Sequence, residues 1–329
     1  MVVRPSSRNP GVFPSHQRAS LFYSDAWNQA WLKAFSSHPA ITVYPGGFYT
    51  YTQRLKGLLP ARSATLVGAS SPATRSIRAE YACLTDATLL ASLATPWHQF
   101  TIPDVCQHSP DHDRVQQFAD AHRFTVYTAE QDTAYSVDLD GIGFQDYLAT
   151  LSGNTRRRLY HRRKRLAQLG TVSLENLWPD QHRFFELLNR FHKRRWGKPC
   201  YSGRNLEFME ALLTGLAASG HKIDLSVMSL SGEPVSVVLD IVAHDRCYNI
   251  QSGYTDSVSR DVSLGTLHLG YQIEAASHQN INCYDFMAGS GKHTQYKSSL
   301  ANVTSTLVSL RVVRSPLLKV VYKMRKPLA

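Results

Sequence analysis

The sequence has few cysteines and no long hydrophobic run. Its five cysteines are odd in number and widely separated, and they form neither a CxxC motif nor a Cys/His spacing that suggests zinc. No stretch reaches the roughly 18 apolar residues of a membrane span, and the first twenty residues lack the apolar core of a signal peptide. We therefore expect a reduced, cytoplasmic protein that does not cross the membrane.

Motifs of two enzyme classes are also missing. The fourteen histidines form no HExxH or HxH pattern, and no Gly-x-Ser-x-Gly elbow occurs. The first pattern would hold a metal, and the elbow would carry the serine of a Ser-His-Asp hydrolase. We expect neither a metal site nor hydrolase chemistry of that kind.

Positive charge is concentrated in the second half of the chain. Residues 1–150 carry 11 Lys and Arg against 12 Asp and Glu, whereas residues 151–329 carry 25 against 13. Such an excess favours polyanionic partners: a nucleotide cofactor, RNA, a phosphorylated glycolipid or the anionic inner leaflet of the membrane. The length of 329 residues predicts two domains.

Hydrophobic periodicity divides the chain. A helix capped by Ser24 places Trp27, Trp31 and Phe35 on one face, and short β-type runs follow, among them residues 80–84. A leucine-faced helix over residues 148–169 opens the second half. We predict a flexible leader at 1–20, a first domain at 21–150, a second domain at 151–314 that begins with a basic helix, and a basic tail at 315–329.

The second half has the clearest order of elements. Three antiparallel strands over residues 223–254 are separated by tight turns, and an irregular loop then leads into a helix over residues 266–278. One more buried strand is predicted over residues 281–287. This order of three strands, loop, helix and strand is the core of a GNAT domain.

Four stretches carry a family resemblance. They are the basic run 154–166, the end of a helix at 191–196 with its Arg-Trp pair, the block 253–265 from Gly-Tyr to Ser-Leu-Gly, and the block 284–297 with Asp-Phe, Gly289 and Tyr-Lys. Together they resemble the acetyltransferase-like proteins of bacterial cellulose and exopolysaccharide synthesis and the Fem-type peptidyltransferases. The amino-acid sequences of the first and last stretches also resemble those of Gram-negative envelope proteins implicated in resistance to cationic antimicrobial peptides.

The resemblance implies a fold class, α/β (α+β), with tandem GNAT-like domains, each a mixed, mainly antiparallel sheet flanked by helices. The first domain would be degenerate, and the second would bind acyl-CoA or, in a Fem-like variant, aminoacyl-tRNA. The sequence departs from GNAT enzymes in one respect. Their pyrophosphate loop, Gln/Arg-x-x-Gly-x-Gly/Ala, is matched only loosely, by Arg260 and Gly265.

The donor site is predicted at the start of the helix over 266–278, because free amides at a helix N-terminus attract phosphate. Its candidate residues are Arg260, Ser263, Leu264, Gly265 and Thr266. Alternatively, this loop enters the helix without binding a ligand.

A polyanionic substrate is predicted to bind the basic helix. Seven of the ten residues from 156 to 165 are Lys or Arg, and like charges at this spacing repel unless an anion is near. The candidate contacts are Arg156, Arg157, Arg158, Arg162, Trp196 and Tyr254. The alternative is a solvated helix face.

Asp285, Tyr296 and Lys297 are the predicted catalytic residues. Acyl transfer to an amine needs one group to accept a proton and another to supply one. Asp285 lies between apolar residues, where burial would raise its pKa. The alternative for Asp285 is a loop cap or a pair with an arginine, and a structural role is equally open for the other two residues.

These features predict a GNAT-type transferase that passes an acyl or aminoacyl group to an amine or hydroxyl of a bacterial envelope glycolipid or polysaccharide precursor. One alternative is a Fem-like transferase that uses aminoacyl-tRNA. Another is a non-catalytic protein that binds anionic lipid. The tail interleaves basic and aliphatic residues, which indicates peripheral contact with the cytoplasmic face of the inner membrane.

Overall fold

A computed structural model describes residues 20–55, 59–70, 77–256, 258, 261–289 and 295–324. The helices are α1 (Asp25–Phe35), α2 (Asp86–Leu93), α3 (Pro110–Ala121), α4 (Phe144–Thr150), α5 (Gly153–Arg156), α6 (Arg163–Ala167), α7 (Gln181–Trp196), α8 (Arg204–Ala218), α9 (Leu264–His278), α10 (Gln295–Leu300) and α11 (Pro316–Lys323). The strands are β1 (Ile41–Tyr44), β2 (Phe48–Leu55), β3 (Leu59–Leu66), β4 (Gln99–Cys106), β5 (Thr125–Asp138), β6 (Val172–Asn176), β7 (Lys222–Leu230), β8 (Glu233–Ala243), β9 (Arg246–Tyr254), β10 (Cys283–Ala288) and β11 (Val303–Val313).

The strands of the described residues form one sheet in the order β1-β2-β3-β4-β11-β5-β10-β9-β8-β7-β6. Most neighbouring strands are antiparallel, while β3 with β4 and β9 with β10 are parallel. The mixed α/β class with a mainly antiparallel sheet and flanking helices is thus confirmed. The sheets of the two halves meet where β5 pairs with β10.

The two halves exchange their terminal elements. Strand β11, at the end of the chain, lies between β4 and β5 of the first half. Helix α1, at the beginning, packs into the core of the second half, where the Trp27 ring meets Phe208 edge to face at 5.1 Å. Its indole nitrogen also donates to the carbonyl of Gly68 in the first half. Each half of the fold therefore contains an element contributed by the other half of the sequence. The domain boundary at residue 150 stays a proposal.

The predicted continuous helix over residues 148–169 is broken. Leu151 is extended, and the Ser152 hydroxyl accepts the amide of Thr155, which caps a new helix. A π-helical turn over Arg157–His161 then separates α5 from α6. The leucine spacing predicted one buried face but could not reveal the cap.

The chain has no described helix that is both long enough and apolar enough to span a bilayer.

Candidate active site

Strands β9 and β10 run side by side only at their beginnings. They pair from Arg246 opposite Cys283 to Tyr248 opposite Asp285. Beyond these pairs, β9 continues to Tyr254 and β10 to Ala288 without further pairing between them in the described residues. The two strands therefore diverge and open a wedge in the sheet.

Two cavities meet at this wedge. One, of about 750 Å³, lies beside the start of α9 and is lined entirely by residues of the second half. The other, of about 270 Å³, lies beside β10 and includes residues of both halves. Gln251 and Ser252 of β9 and Tyr296 of α10 line both cavities. We call them the larger and the smaller cavity.

The N-terminus of α9 faces the larger cavity. Ser263, Gly265 and Thr266 line it, whereas the buried Leu264 packs in a hydrophobic cluster with Leu267. The first amides of a helix have no acceptor within the helix, so this end carries partial positive charge. Four of the five predicted donor-site residues thus lie at this helix start, and three of them line the cavity. Arg260 lies outside the described residues.

Gly265 is needed for close packing. A Cβ atom on this residue would stand 2.6 Å from Cε1 of Tyr254, a separation that forces one of the groups to move. The Tyr254 ring, another wall of the larger cavity, therefore rests on the backbone of α9. Gly265, a predicted donor-site residue, is thus in close contact with an aromatic ring.

The basic run contributes one arginine to the larger cavity. Arg158 lines the cavity together with Asn154 and Thr155, while Arg156, Arg157 and Arg162 are not among its lining residues. The π-helical turn packs closely against α9. A Cβ atom on Gly270 of α9 would clash with the carbonyl oxygen of Leu159 in that turn.

Arg163 of the basic run is paired within the protein. It forms an ion pair with Glu274. Its guanidinium also lies 3.7 Å from the centre of the Tyr271 ring, a cation–π contact. Arg163, which is not one of the predicted substrate contacts, therefore has a structural role.

The end of α7 adds a basic and aromatic rim. Arg195 and Trp196 line the larger cavity, and the Arg195 guanidinium lies 4.6 Å from the centre of the Tyr254 ring. Trp196 remains 48% exposed, which is high for so large an aromatic side chain. His192, one turn earlier, contacts the Ser252 carbonyl at 3.2 Å, and burial lowers its pKa.

Asp285 is fully buried and has three hydrogen-bond donors. Its carboxylate accepts from Arg246 Nη1 and the Tyr81 hydroxyl, each at 2.8 Å, and from the Met287 amide at 2.8 Å. The predicted alternative, a pair with an arginine, is what the geometry displays. Asp285 is not among the lining residues of either cavity, and its role as a catalytic residue stays a prediction.

A bulge at the end of β10 shapes the smaller cavity. The pairing with β5 shifts between Asp285 and Ala288, and Met287 has a φ of 67°. A left-handed conformation is uncommon outside glycine, and such residues cluster at functional sites. The carbonyls of Met287 and Ala288 both accept from Lys297 Nζ, at 3.1 and 3.0 Å.

Lys297 and Tyr296, two of the predicted catalytic residues, both line the smaller cavity. Burial lowers the pKa of Lys297 and raises that of Tyr296 to about 12. Lys297 is anchored by two backbone carbonyls, whereas Tyr296 stands at the junction of the two cavities.

Glu80 is the residue that sequence reasoning missed. The run 80–84 was predicted as β-type, but these residues lie outside the strands. Glu80 lines the smaller cavity, is 2% exposed, and accepts the Ala288 amide at 2.7 Å. Burial raises its pKa to about 8. A charged residue within a predicted β-type run was the only sign of a special role in the sequence. The contact of Glu80 with β10 depends on the tertiary fold.

Arg78 holds the Glu80 segment in place. Its guanidinium donates twice to Asp104, at 2.7 Å each, and once to Asp132 at 2.9 Å. It lies 3.7 Å from the Glu80 carboxylate. Such a bidentate pair fixes geometry as well as charge, so Glu80 is held beside the wedge.

The described residues contain no group of three His, Cys, Asp or Glu side chains arranged to hold a metal ion. Glu80, Tyr296 and Lys297 are among the ionisable residues that line the smaller cavity.

Residues 153–298 match the family model described as an acetyltransferase (GNAT) domain. No curated protein sequence matches the chain.

Three solved structures share the fold at low sequence identity. FemX is 11% identical, covers 90% of this chain and 98% of its own, and superposes with a TM-score of 0.55. The C-terminal domain of a putative lysylphosphatidylglycerol synthetase from Agrobacterium fabrum is 9% identical, covers 92% of each chain, and has a TM-score of 0.54. L-PGS from Bacillus licheniformis is 11% identical, covers 91% and 95%, and has a TM-score of 0.52. Residues 153–298 thus match a GNAT-type acetyltransferase domain, within a chain whose fold resembles that of these three solved structures.

Proposed function

We propose that the protein transfers an acyl or aminoacyl group from a donor in the larger cavity to an acceptor in the smaller one. The acceptor is an amine or hydroxyl of a bacterial envelope glycolipid or polysaccharide precursor, a modification of the kind linked to resistance to cationic antimicrobial peptides. The observation that carries the proposal is the wedge between β9 and β10, where both cavities meet at Tyr296. Two substrates bound on either side would bring their reacting atoms together there.

The donor is acyl-CoA in the leading form of the proposal. The α9 N-terminus, Arg158 and Arg195 surround one cavity, and they would bind the phosphates of the donor through backbone amides and guanidinium groups. The acyl group would then point along the wedge toward Tyr296. The GNAT family match is consistent with this choice.

Glu80 is the proposed general base. The acceptor nitrogen or oxygen attacks the donor carbonyl carbon, its proton passes to the Glu80 carboxylate, and the bond from the carbonyl carbon to the leaving group breaks. The Tyr296 hydroxyl supplies a proton to the departing sulfur or oxygen. A base is most effective when its pKa is near the working pH, and burial brings Glu80 into that range.

A second donor, aminoacyl-tRNA, is favoured by two features. The exposed ring of Trp196 lies beside Arg195 at the mouth of the larger cavity. An exposed aromatic ring with arginines is suited to stacking on an unpaired base. The low match to the GNAT pyrophosphate loop also fits this variant.

Parallel thermal-shift titrations would separate the donors. A ligand that binds only the folded protein raises its melting temperature with concentration, so acetyl-CoA, charged tRNA and lipopolysaccharide each test one hypothesis. We expect stabilisation by one donor, and labelled transfer from that donor to a lipopolysaccharide acceptor. Stabilisation by lipopolysaccharide alone, with no transfer from either donor, would replace the proposal with a non-catalytic lipid-binding protein.

A further inference from the structure

Helix α11 is fixed to the first half by one face. Leu318 and Tyr322 are buried against Ala61 and Val313, and the Tyr322 hydroxyl donates to Gln99 Oε1 at 2.6 Å. The helix is therefore a structural part of the domain, and its outer surface has a defined orientation.

The outer surface of α11 is apolar. Leu317, Val320 and Met324 are 59%, 57% and 74% exposed. They follow one another by three and four residues, so they share one side of the helix. We call these three residues the α11 apolar face. Large aliphatic side chains in such a row are a common sign of an interaction surface.

Basic residues flank helix α11. The exposed Arg314 immediately precedes the helix and donates to the carbonyls of Leu93 and Thr95. Lys319 Nζ donates to the Arg123 carbonyl, and the exposed Lys323 lies in the last turn. The sequence from residue 286 to residue 329 contains no Asp or Glu. The surface therefore combines aliphatic side chains with positive charge and no compensating acid on its own segment.

We propose that the α11 apolar face docks on the surface of an anionic lipid bilayer. Exposed aliphatic residues on a short helix with a basic flank insert among lipid headgroups, and the basic residues are attracted to anionic lipid. A protein partner is less well matched, because it would have to supply both an apolar groove and a surplus of acid.

This contact is separate from the proposed active site. Tyr322 of α11 binds at Gln99, where β4 begins, whereas Arg78 beside the smaller cavity binds Asp104 near the end of that strand. Five residues of strand span roughly 17 Å. Docking would therefore attach the protein to a membrane without occupying either cavity, and transfer to a soluble acceptor should not depend on it.

Vesicle sedimentation of the full chain tests the proposal. The wild type should pellet at low salt with vesicles of equimolar phosphatidylglycerol and phosphatidylcholine, and much less with phosphatidylcholine alone. In the double variant L317S/V320S the fraction of protein bound to anionic vesicles should fall at least about 10-fold. In K323E the binding should be weaker and should depend less on salt concentration. Leu174→Ser is the matched control, because Leu174 is also exposed but lies on β6 at the far edge of the sheet.

Three results would overturn the proposal. They are equal binding to neutral and anionic vesicles, an unchanged L317S/V320S variant with native thermal stability, and a dimer in sedimentation velocity that this variant dissociates. The last would identify the face as a contact between two copies of the chain. Because the assay does not use transfer, its outcome is independent of the proposed function.

Discussion

The two cavities at the wedge differ in how they are built. The smaller one combines Glu80 of the first half with Lys297 of the second and holds both groups in a buried network. The larger one belongs to the second half alone, and its charged groups, Arg158 and Arg195, are exposed. Buried ionisable groups change their pKa, whereas exposed ones mainly attract a ligand. In the proposed mechanism, proton transfer therefore belongs to the smaller cavity and donor binding to the larger one.

The largest expected effect is the loss of turnover in the Glu80→Gln variant, which affects the smaller cavity but not donor binding in the larger one. Replacing Glu80 with Gln keeps the shape of the side chain but removes the base, so turnover should fall about 10²- to 10⁴-fold while the affinity for the donor is retained. Steady-state kinetics with both substrates would measure this. Asp132→Asn is the control, since Asp132 binds Arg78 but does not line the smaller cavity.

The pH profile gives a second readout for Glu80. Its pKa is raised to about 8, and a base acts in its deprotonated form, so the wild-type turnover should increase as pH rises through about 8. The Glu80→Gln variant should lack this rise. An unchanged profile in the variant would assign the ionisation to the acceptor instead.

Tyr296→Phe should act at the junction of the cavities. Loss of the hydroxyl removes the proposed proton donor, so turnover should fall about 10- to 100-fold, with the larger loss for a poorer leaving group. Comparing donors whose leaving groups differ in pKa would measure this dependence. A uniform loss for all donors would indicate that Tyr296 only shapes the cavity.

Arg195→Ala should affect the larger cavity alone. The substitution removes a charge beside the proposed phosphate site, and we expect about 10-fold weaker donor binding with little change in turnover. Arg183→Ala, on the same helix but away from the cavity, should have no such effect. Equal effects of the two variants would show that only the overall charge matters.

Gly265→Ala should have the smallest effect on turnover and tests the packing of the larger cavity. The added methyl group would meet the Tyr254 ring, so we expect a stability loss of about 1–3 kcal/mol and a higher donor KM. Combining Gly265→Ala with Tyr254→Ala should restore part of the stability, because the clash is removed. Thermal denaturation of the single and double variants would measure it.

Local pattern predicted the parts of the second half that depend on local rules. The alternation of apolar residues and the turn-forming residues between strands placed β7, β8 and β9 within one or two residues of their ends. The order of loop and helix placed Gly265 and Thr266 beside a cavity. These features follow from hydrogen bonding and periodicity over a few residues.

The sequence by itself thus determined the mixed α/β class, the positive charge of the second half and the adjacency of Tyr296 and Lys297 along the chain. Tertiary structure decided which charges meet. Glu80 and Ala288 are separated by 208 residues yet share a hydrogen bond. Asp285 is paired with Arg246 of β9 and accepts a hydrogen bond from Tyr81 of the first half. No local pattern encodes such contacts, since they arise only when the two halves share one sheet and fix which side chains are buried together.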